Sequence, residues 1–191
     1  MGEKASPNPG IAAISFGAAP PRLIKCKVRT GPTALVLTRQ ALPQQARTRE
    51  QGMNIARGGY VLIEAAGAPG ALPEAVVIAT GSEVAIAADA VKALNAAGRR
   101  VRLVSMPSTD QFDRQDPAYR ESVLPRAVTA RVAIEAGSTA LWWKYVGSTG
   151  RVIGIDRFGA SGKAPELFAY FGFTVDAVRQ AVLESLNSSS G

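Results

Sequence analysis

Apolar and polar positions change period along this chain. Ala75 to Ala79, Val101 to Val104, Arg131 to Ile134 and Arg151 to Ile155 are short, β-branched runs that end in Thr, Ser, Glu or Asp followed closely by Gly or Pro. Such runs mark strands buried on both faces, and Tyr60 to Ile63 reads as a further strand. Between them the period lengthens. Val84, Ala87, Ala88, Val91 and Leu94 recur at three- and four-residue spacing, which predicts a helix. Thr80 and Glu83 have the spacing of a capping box at its start, and Gly98 is placed to stop it. Pro107, in Ser105-Met106-Pro107-Ser108, blocks direct continuation of its strand into a helix. Glu166 to Phe171 reads as a short helix, and Val175, Val178, Val182 and Leu186 put one stripe along a terminal helix capped by Thr174. Strands alternating with helices predict a three-layer α/β/α domain around a mainly parallel sheet.

The ends of the chain have a different texture. Residues 1–30 carry Pro7, Pro9, Pro20 and Pro21 with no helical period, and read as a leader without stable structure. Ala34 to Leu37 is a short apolar run behind Gly31-Pro32 and predicts one more strand. From Ala41 to Gly59 the chain turns polar and reads as a surface connection, whereas Ser188 to Gly191 reads as a disordered tail. The divisions expected are therefore 1–30, 31–58, 59–187 and 188–191.

Composition narrows the chemistry. The 191 residues are 47% hydrophobic and 19% charged, which suits one globular domain with attached segments. Cys26 is alone and His is absent, so the chain has no intrachain disulfide, no Cys-rich zinc site and no histidine base for a serine or cysteine hydrolase. The net charge of +7 is unevenly placed. Residues 1–59 hold nine basic and two acidic side chains, while residues 60–191 hold 13 of each. A basic leader on a balanced body, with only 6% aromatics, argues against nucleic-acid binding. No apolar run approaches the roughly 20 residues of a membrane span, and the first 30 residues lack the order of a signal peptide. A cytoplasmic protein is expected.

Candidate chemistry lies where the strands end. In open α/β sheets ligands bind beyond the carboxyl ends of the strands, where Gly81-Ser82, Ser105 to Ser108, Gly137-Ser138 and Phe158 to Gly162 should gather. The helix after Gly81 and Ser82 could direct its free N–H groups at an anion, or these residues could be ordinary turn and cap positions. Asp110, Asp113 and Asp116 recur every three residues and read as solvated acids near a helix start rather than metal ligands. Glu135 ends a strand and is either an acid–base group or a structural acceptor. Trp142, Trp143 and Tyr145 are either a stacking platform or apolar filling of a core or contact. Arg39 directly follows an apolar strand, where its guanidinium could hold a phosphate.

Several strings together carry a resemblance. They are Gly-Pro-Thr-Ala-Leu-Val-Leu-Thr-Arg-Gln at 31–40, Asn-Ile-Ala-Arg-Gly-Gly-Tyr-Val-Leu at 54–62, Ala-Thr-Gly-Ser-Glu-Val at 79–84, Ser-Met-Pro-Ser-Thr-Asp at 105–110, Tyr-Arg-Glu-Ser-Val-Leu-Pro at 119–125 and Phe-Gly-Ala-Ser at 158–161. In that order they resemble the C-terminal part of the transketolase family, from about Arg29 to Leu186. The resemblance implies a five-stranded sheet with one antiparallel strand. It also implies an enzyme that moves a two-carbon ketol unit between sugar phosphates in the pentose phosphate pathway, using thiamine diphosphate and Mg or Ca.

In that family a diphosphate-binding domain and a pyrimidine-binding domain form the active site across a homodimer, and the third domain, matched here, supports the dimer. Thr33 to Thr38 then corresponds to the last strand of the pyrimidine-binding domain, 39–58 to a linker and 59–187 to the third domain. Arg39 matches the arginine that contacts the sugar phosphate in the complete enzyme. The Gly-Asp-Gly cofactor motif, the family's active-site histidines and a pyrimidine-activating glutamate, unless it were Glu3, are missing. Residues 1–28 match nothing expected before that strand, as a truncated, recombined or misread gene start would produce. The expectation is a chain without catalytic or cofactor-binding residues of its own, inactive alone, partnered by a second copy or by the remainder of a transketolase. The alternatives are a non-catalytic interaction module and a small sugar-phosphate or anion-binding domain at Gly81 and Ser82.

Overall fold

The computed structural model describes residues 11–13, 34–36, 38, 40–68 and 70–189. Its first two strands, β1 (Ile11–Ala13) and β2 (Ala34–Val36), pair in parallel as a separate ribbon. A strand within residues 1–30 was not expected from the sequence, and it gives Ala34–Val36 a backbone partner.

The polar connection also holds more structure than its composition suggests. Helix α1 (Arg49–Asn54) opens on a capping box in which the Thr48 hydroxyl accepts from the Gln51 N–H and the Gln51 side chain accepts from the Thr48 N–H. A 3-10 turn, Ile55–Arg57, leads to Gly58 at φ +86°. The amide of Gln51 donates to the carbonyls of Val61 and Leu62, and Arg47 Nε donates to the Tyr60 hydroxyl at 2.7 Å. The connection is thereby tied along an outer strand of the main sheet, covering backbone groups that an open edge would expose.

That sheet has five strands in the order β3-β5-β4-β6-β7: β3 (Tyr60–Ile63), β4 (Ala75–Ala79), β5 (Val101–Ser105), β6 (Arg131–Ile134) and β7 (Arg151–Ile153). Only β3 runs antiparallel to its neighbour; the other pairings are parallel. Side chains alternate across a strand, so β4, buried at every position, serves two cores. Val77 and Ala79 face helices α2 (Glu83–Ala96) and α7 (Val175–Ser189), in a core with Ala87, Val91 and Val178. Val76 and Ile78 face α3 (Thr109–Asp113), α4 (Pro117–Val123) and α5 (Trp143–Val146), in a core with Phe112, Val123 and Tyr145. A short α6 (Ala164–Tyr170) precedes the last helix. The expected three-layer architecture is the one observed.

Local signals fared unevenly. Gly98 at φ +85° follows α2 as expected, and the Thr174 hydroxyl accepts from the Ala177 N–H at the start of α7. The predicted Thr80–Glu83 capping box does not form. The helix begins at Glu83 behind Ser82, and the Thr80 hydroxyl is buried without a hydrogen-bond partner among the described residues. Ser188 and Ser189 extend α7 instead of forming a loose tail, and their hydroxyls donate to the carbonyls of Glu184 and Ser185. Strand β7 stops at Ile153 rather than Ile155, and α6 starts two residues before Glu166.

Candidate functional site

The parallel register sets the site. Ala79 pairs with Ser105 on one side and Ile134 on the other, and Ile134 pairs with Ile153, so the loops that follow these strands emerge in one row. The Gly137 carbonyl accepts from the Ile155 N–H at 2.7 Å, joining two of these loops. Gly154 lies under the Thr139 side chain, where a Cβ would come within 2.8 Å of its methyl carbon.

Two carboxylates lie in this row, near enough for the charge of Glu135 to act on Glu83. Glu83, the first residue of α2, is 3% exposed and accepts from the Ser82 hydroxyl at 2.8 Å. Its carboxylate also takes hydrogen bonds from its own backbone N–H and that of Ala136. Glu135 accepts from the indole N–H of Trp142, itself 1% exposed. Burial pushes the Glu83 pKa up; the Ser82 bond draws it back and the charge of Glu135 pushes it further. Burial likewise raises Glu135, against the Trp142 bond. Neither carboxylate has an ion-pair partner among the described residues. Such a pair favours the state in which it holds a proton.

The rim behaves differently. Asp156 accepts from the Thr139 hydroxyl at 2.7 Å, the Thr139 N–H at 2.9 Å and the Ser138 hydroxyl at 3.2 Å. The Thr139 side chain foremost holds its carboxyl below the usual range, with the Thr139 backbone and Ser138 adding to the effect.

Gly81 sits at φ +58° in the turn before α2. The connection passes beside it, and the space between Leu42, Pro43, Gln45 and Arg47 on one side and Gly81 and Ser82 on the other is about 20 Å³. That is room for one water. A phosphate there would have to lift the connection and would meet the Glu83 carboxylate close behind.

The remaining candidates separate. Arg39 lies outside the described residues. Trp142 and Tyr145 are core residues, while Trp143 is 46% exposed. Asp116 caps α4 by accepting from the Tyr119 N–H at 2.9 Å, and Asp113 binds Lys144 at 2.6 Å and the Tyr145 hydroxyl at 3.0 Å. Burial raises the Tyr145 pKa, and Asp113 raises it further. Among the described residues no three His, Cys, Asp or Glu side chains gather for a metal, and no helix is long and apolar enough to cross a membrane. The Glu83–Glu135 approach was not foreseen, since Glu83 reads in sequence as a capping residue. Its sequence signal is faint: Glu135 directly follows β6, whereas Glu83 stands four residues beyond the end of β4.

Comparison with known proteins gives a consistent set of matches. A family model described as the transketolase-like TK C-terminal domain matches residues 58–174. Transketolase 1 of Escherichia coli K12 is 61% identical over 148 residues, which cover 78% of this chain and 22% of that protein. A Leishmania mexicana transketolase structure superposes with a TM-score of 0.73 at 36% identity, covering 83% of this chain and 22% of its own. A Pichia stipitis transketolase variant in complex with xylulose 5-phosphate gives 0.72 at 37% identity, with 85% and 22% covered. The chain thus spans about a fifth of the length of these relatives.

Proposed function

The chain belongs to the transketolase family through its C-terminal domain, and from that premise we propose that it supplies the scaffold end of a transketolase without the reacting centre. Ketol transfer between sugar phosphates is the reaction it serves in the complete enzyme, in the cytoplasm. Alone it turns nothing over. The observation that carries this reading is the state of the crevice beyond the strands. The start of α2, where a diphosphate would seat, is taken by the chain's own Glu83 carboxylate beside Glu135.

Thiamine diphosphate and its divalent cation do not fit the residues described. A cofactor diphosphate would face two carboxylates with no cation paired to them, and the gap beside Gly81 holds about 20 Å³. Cofactor and metal belong to domains outside this match. Arg39 contributes by gripping the sugar phosphate once those domains are in place.

The chain's own role is then packing: a homodimer partner, or a dock for the remainder of a transketolase. Leu141 and Trp143 follow β6, and Phe158 follows β7; they are 48%, 46% and 99% exposed. Apolar side chains left outward near one end of a sheet suit burial against another protein surface. The test is a coupled assay of the purified chain with xylulose 5-phosphate, ribose 5-phosphate, thiamine diphosphate and magnesium. No turnover above a mock purification is expected, and turnover that copurifies with the chain would overturn the reading.

A further inference from the structure

A second concave site lies away from the strand ends, between α3, α4 and α5 and the start of β6. It has a volume of about 220 Å³. Phe112, Leu124 and Tyr145 give it apolar walls, and its charged lining is Arg120, Arg126, Arg131 and Lys144 against Asp113 and Glu121. Two of the cations are already matched: Lys144 binds Asp113 at 2.6 Å, and Arg126 Nε lies 3.6 Å from Glu121. Arg131 and Arg120 are left over.

Arg131 is held without a carboxylate. Its guanidinium donates to the carbonyls of Val128, Tyr145 and Pro125 at 2.7–2.8 Å, and to that of Leu124 at 3.4 Å. Carbonyl dipoles orient the cation but do not neutralise it. Arg120 is less provided for. Among the described residues its guanidinium has no hydrogen-bond or ion-pair partner, although its Nε is shut off from solvent. A buried donor of that kind is costly to leave unmatched.

We propose that this pocket binds a small phosphomonoester, with the Arg120 guanidinium as its main anchor and Arg131 as the fixed positive charge behind it. An arginine fork matches the geometry of phosphate oxygens, and two unmatched cations suit a dianion better than a monocarboxylate. The volume falls below the roughly 300–1,000 Å³ of clefts for larger ligands, which limits the guest to a phosphate with a short carbon body against Phe112 and Tyr145. The site shares no residue with Gly81, Ser82 or Arg39, so it stands or falls independently of the proposed function.

The experiment is calorimetric titration of the full chain with glycerol 3-phosphate and with inorganic phosphate, in a chloride background of constant ionic strength. The variants are Arg120→Gln, Arg120→Lys and Arg179→Gln; the last removes an equal charge from α7 on the other face of the sheet. Circular dichroism checks that each is folded. We expect one saturable site, weakened about tenfold or more by Arg120→Gln, weakened less by Arg120→Lys and unchanged in Arg179→Gln. Tighter binding of glycerol 3-phosphate than of phosphate identifies the carbon body as part of the guest, and equal binding overturns that part. Absence of saturation for either ligand, or an equal loss in Arg179→Gln, overturns the site itself.

Discussion

Replacing Glu83 by Gln isolates the consequence of setting a buried carboxylate near a half-buried one. The side chain is 3% exposed, meets the charge of Glu135, and has its pKa raised above the ordinary 4.5, with burial as the largest cause. Glu135 is raised in the same direction. A raised folded-state pKa means that the folded chain holds a proton that the unfolded chain releases. The stability linked to it is complete below about pH 4.5 and is lost as the pH rises through the folded-state value. Each proton retained gives a slope of about 1.4 kcal/mol per pH unit within that window.

In Glu83→Gln the amide oxygen can still accept from Ser82 and Ala136, the charge is gone, and Glu135 loses its like-charged neighbour. The steep part of the curve should therefore flatten. Urea unfolding followed by tryptophan fluorescence, at steps from about pH 4 to about pH 8, compares the two proteins. The variant should gain on the wild type as the pH rises, by on the order of 1 kcal/mol across the window. Parallel curves would refute the reasoning, because they would mean that the pair holds no extra proton in the folded state.

Four further substitutions test the packing and turns around the sheet. Trp142→Phe removes the indole N–H that serves Glu135 and part of a fully buried ring; about 3 kcal/mol of stability should be lost in chemical denaturation, and a loss under 1 kcal/mol, on the order of a surface change, would contradict the contact. Gly58→Ala would put a Cβ 2.3 Å from the Ser108 carbonyl oxygen at φ +86°, whereas Gly98→Ala meets open space at φ +85°. Thermal midpoints should show about 1 kcal/mol lost for the second and at least twice that for the first, and equal losses would rule out the close approach. Thr48→Ala breaks the capping box of α1 and should cost about 1 kcal/mol, with faster hydrogen exchange confined to residues 49–57; unchanged exchange there would show that the box does not hold the helix.

The layered fold was readable because its strands are short, β-branched and buried on both faces, a pattern that survives without tertiary information. Ala75 to Ala79 and Arg131 to Ile134 match their strands residue for residue. Short polar elements were harder. Helix α1 has no buried residue, so its period carried no apolar signal, although Thr48-Arg49-Glu50-Gln51 spells a capping box. At Thr80 the same local rule misled, because the Glu83 side chain turns to Ser82 and the loop after β6 instead of back to the residue three before it. Pairing of Ile11–Ala13 with Ala34–Val36 is a contact across about twenty residues, which no local pattern announces. The site was legible as a place, the row of loops beyond the strands, since topology alone determines that. Its chemistry was not, because the approach of Glu83 to Glu135 depends on parallel neighbours 52 positions apart in sequence. The Arg120 pocket needs four separate segments to converge, so no single stretch of sequence carries it.

A chain that lacks a place for the reacting cofactor should not bind it, and direct binding tests this without reference to turnover. Calorimetry of the purified chain with thiamine diphosphate in excess magnesium should show no saturable heat, and the thermal midpoint should not move with cofactor concentration. Stoichiometric binding with a concentration-dependent rise in that midpoint would contradict the account.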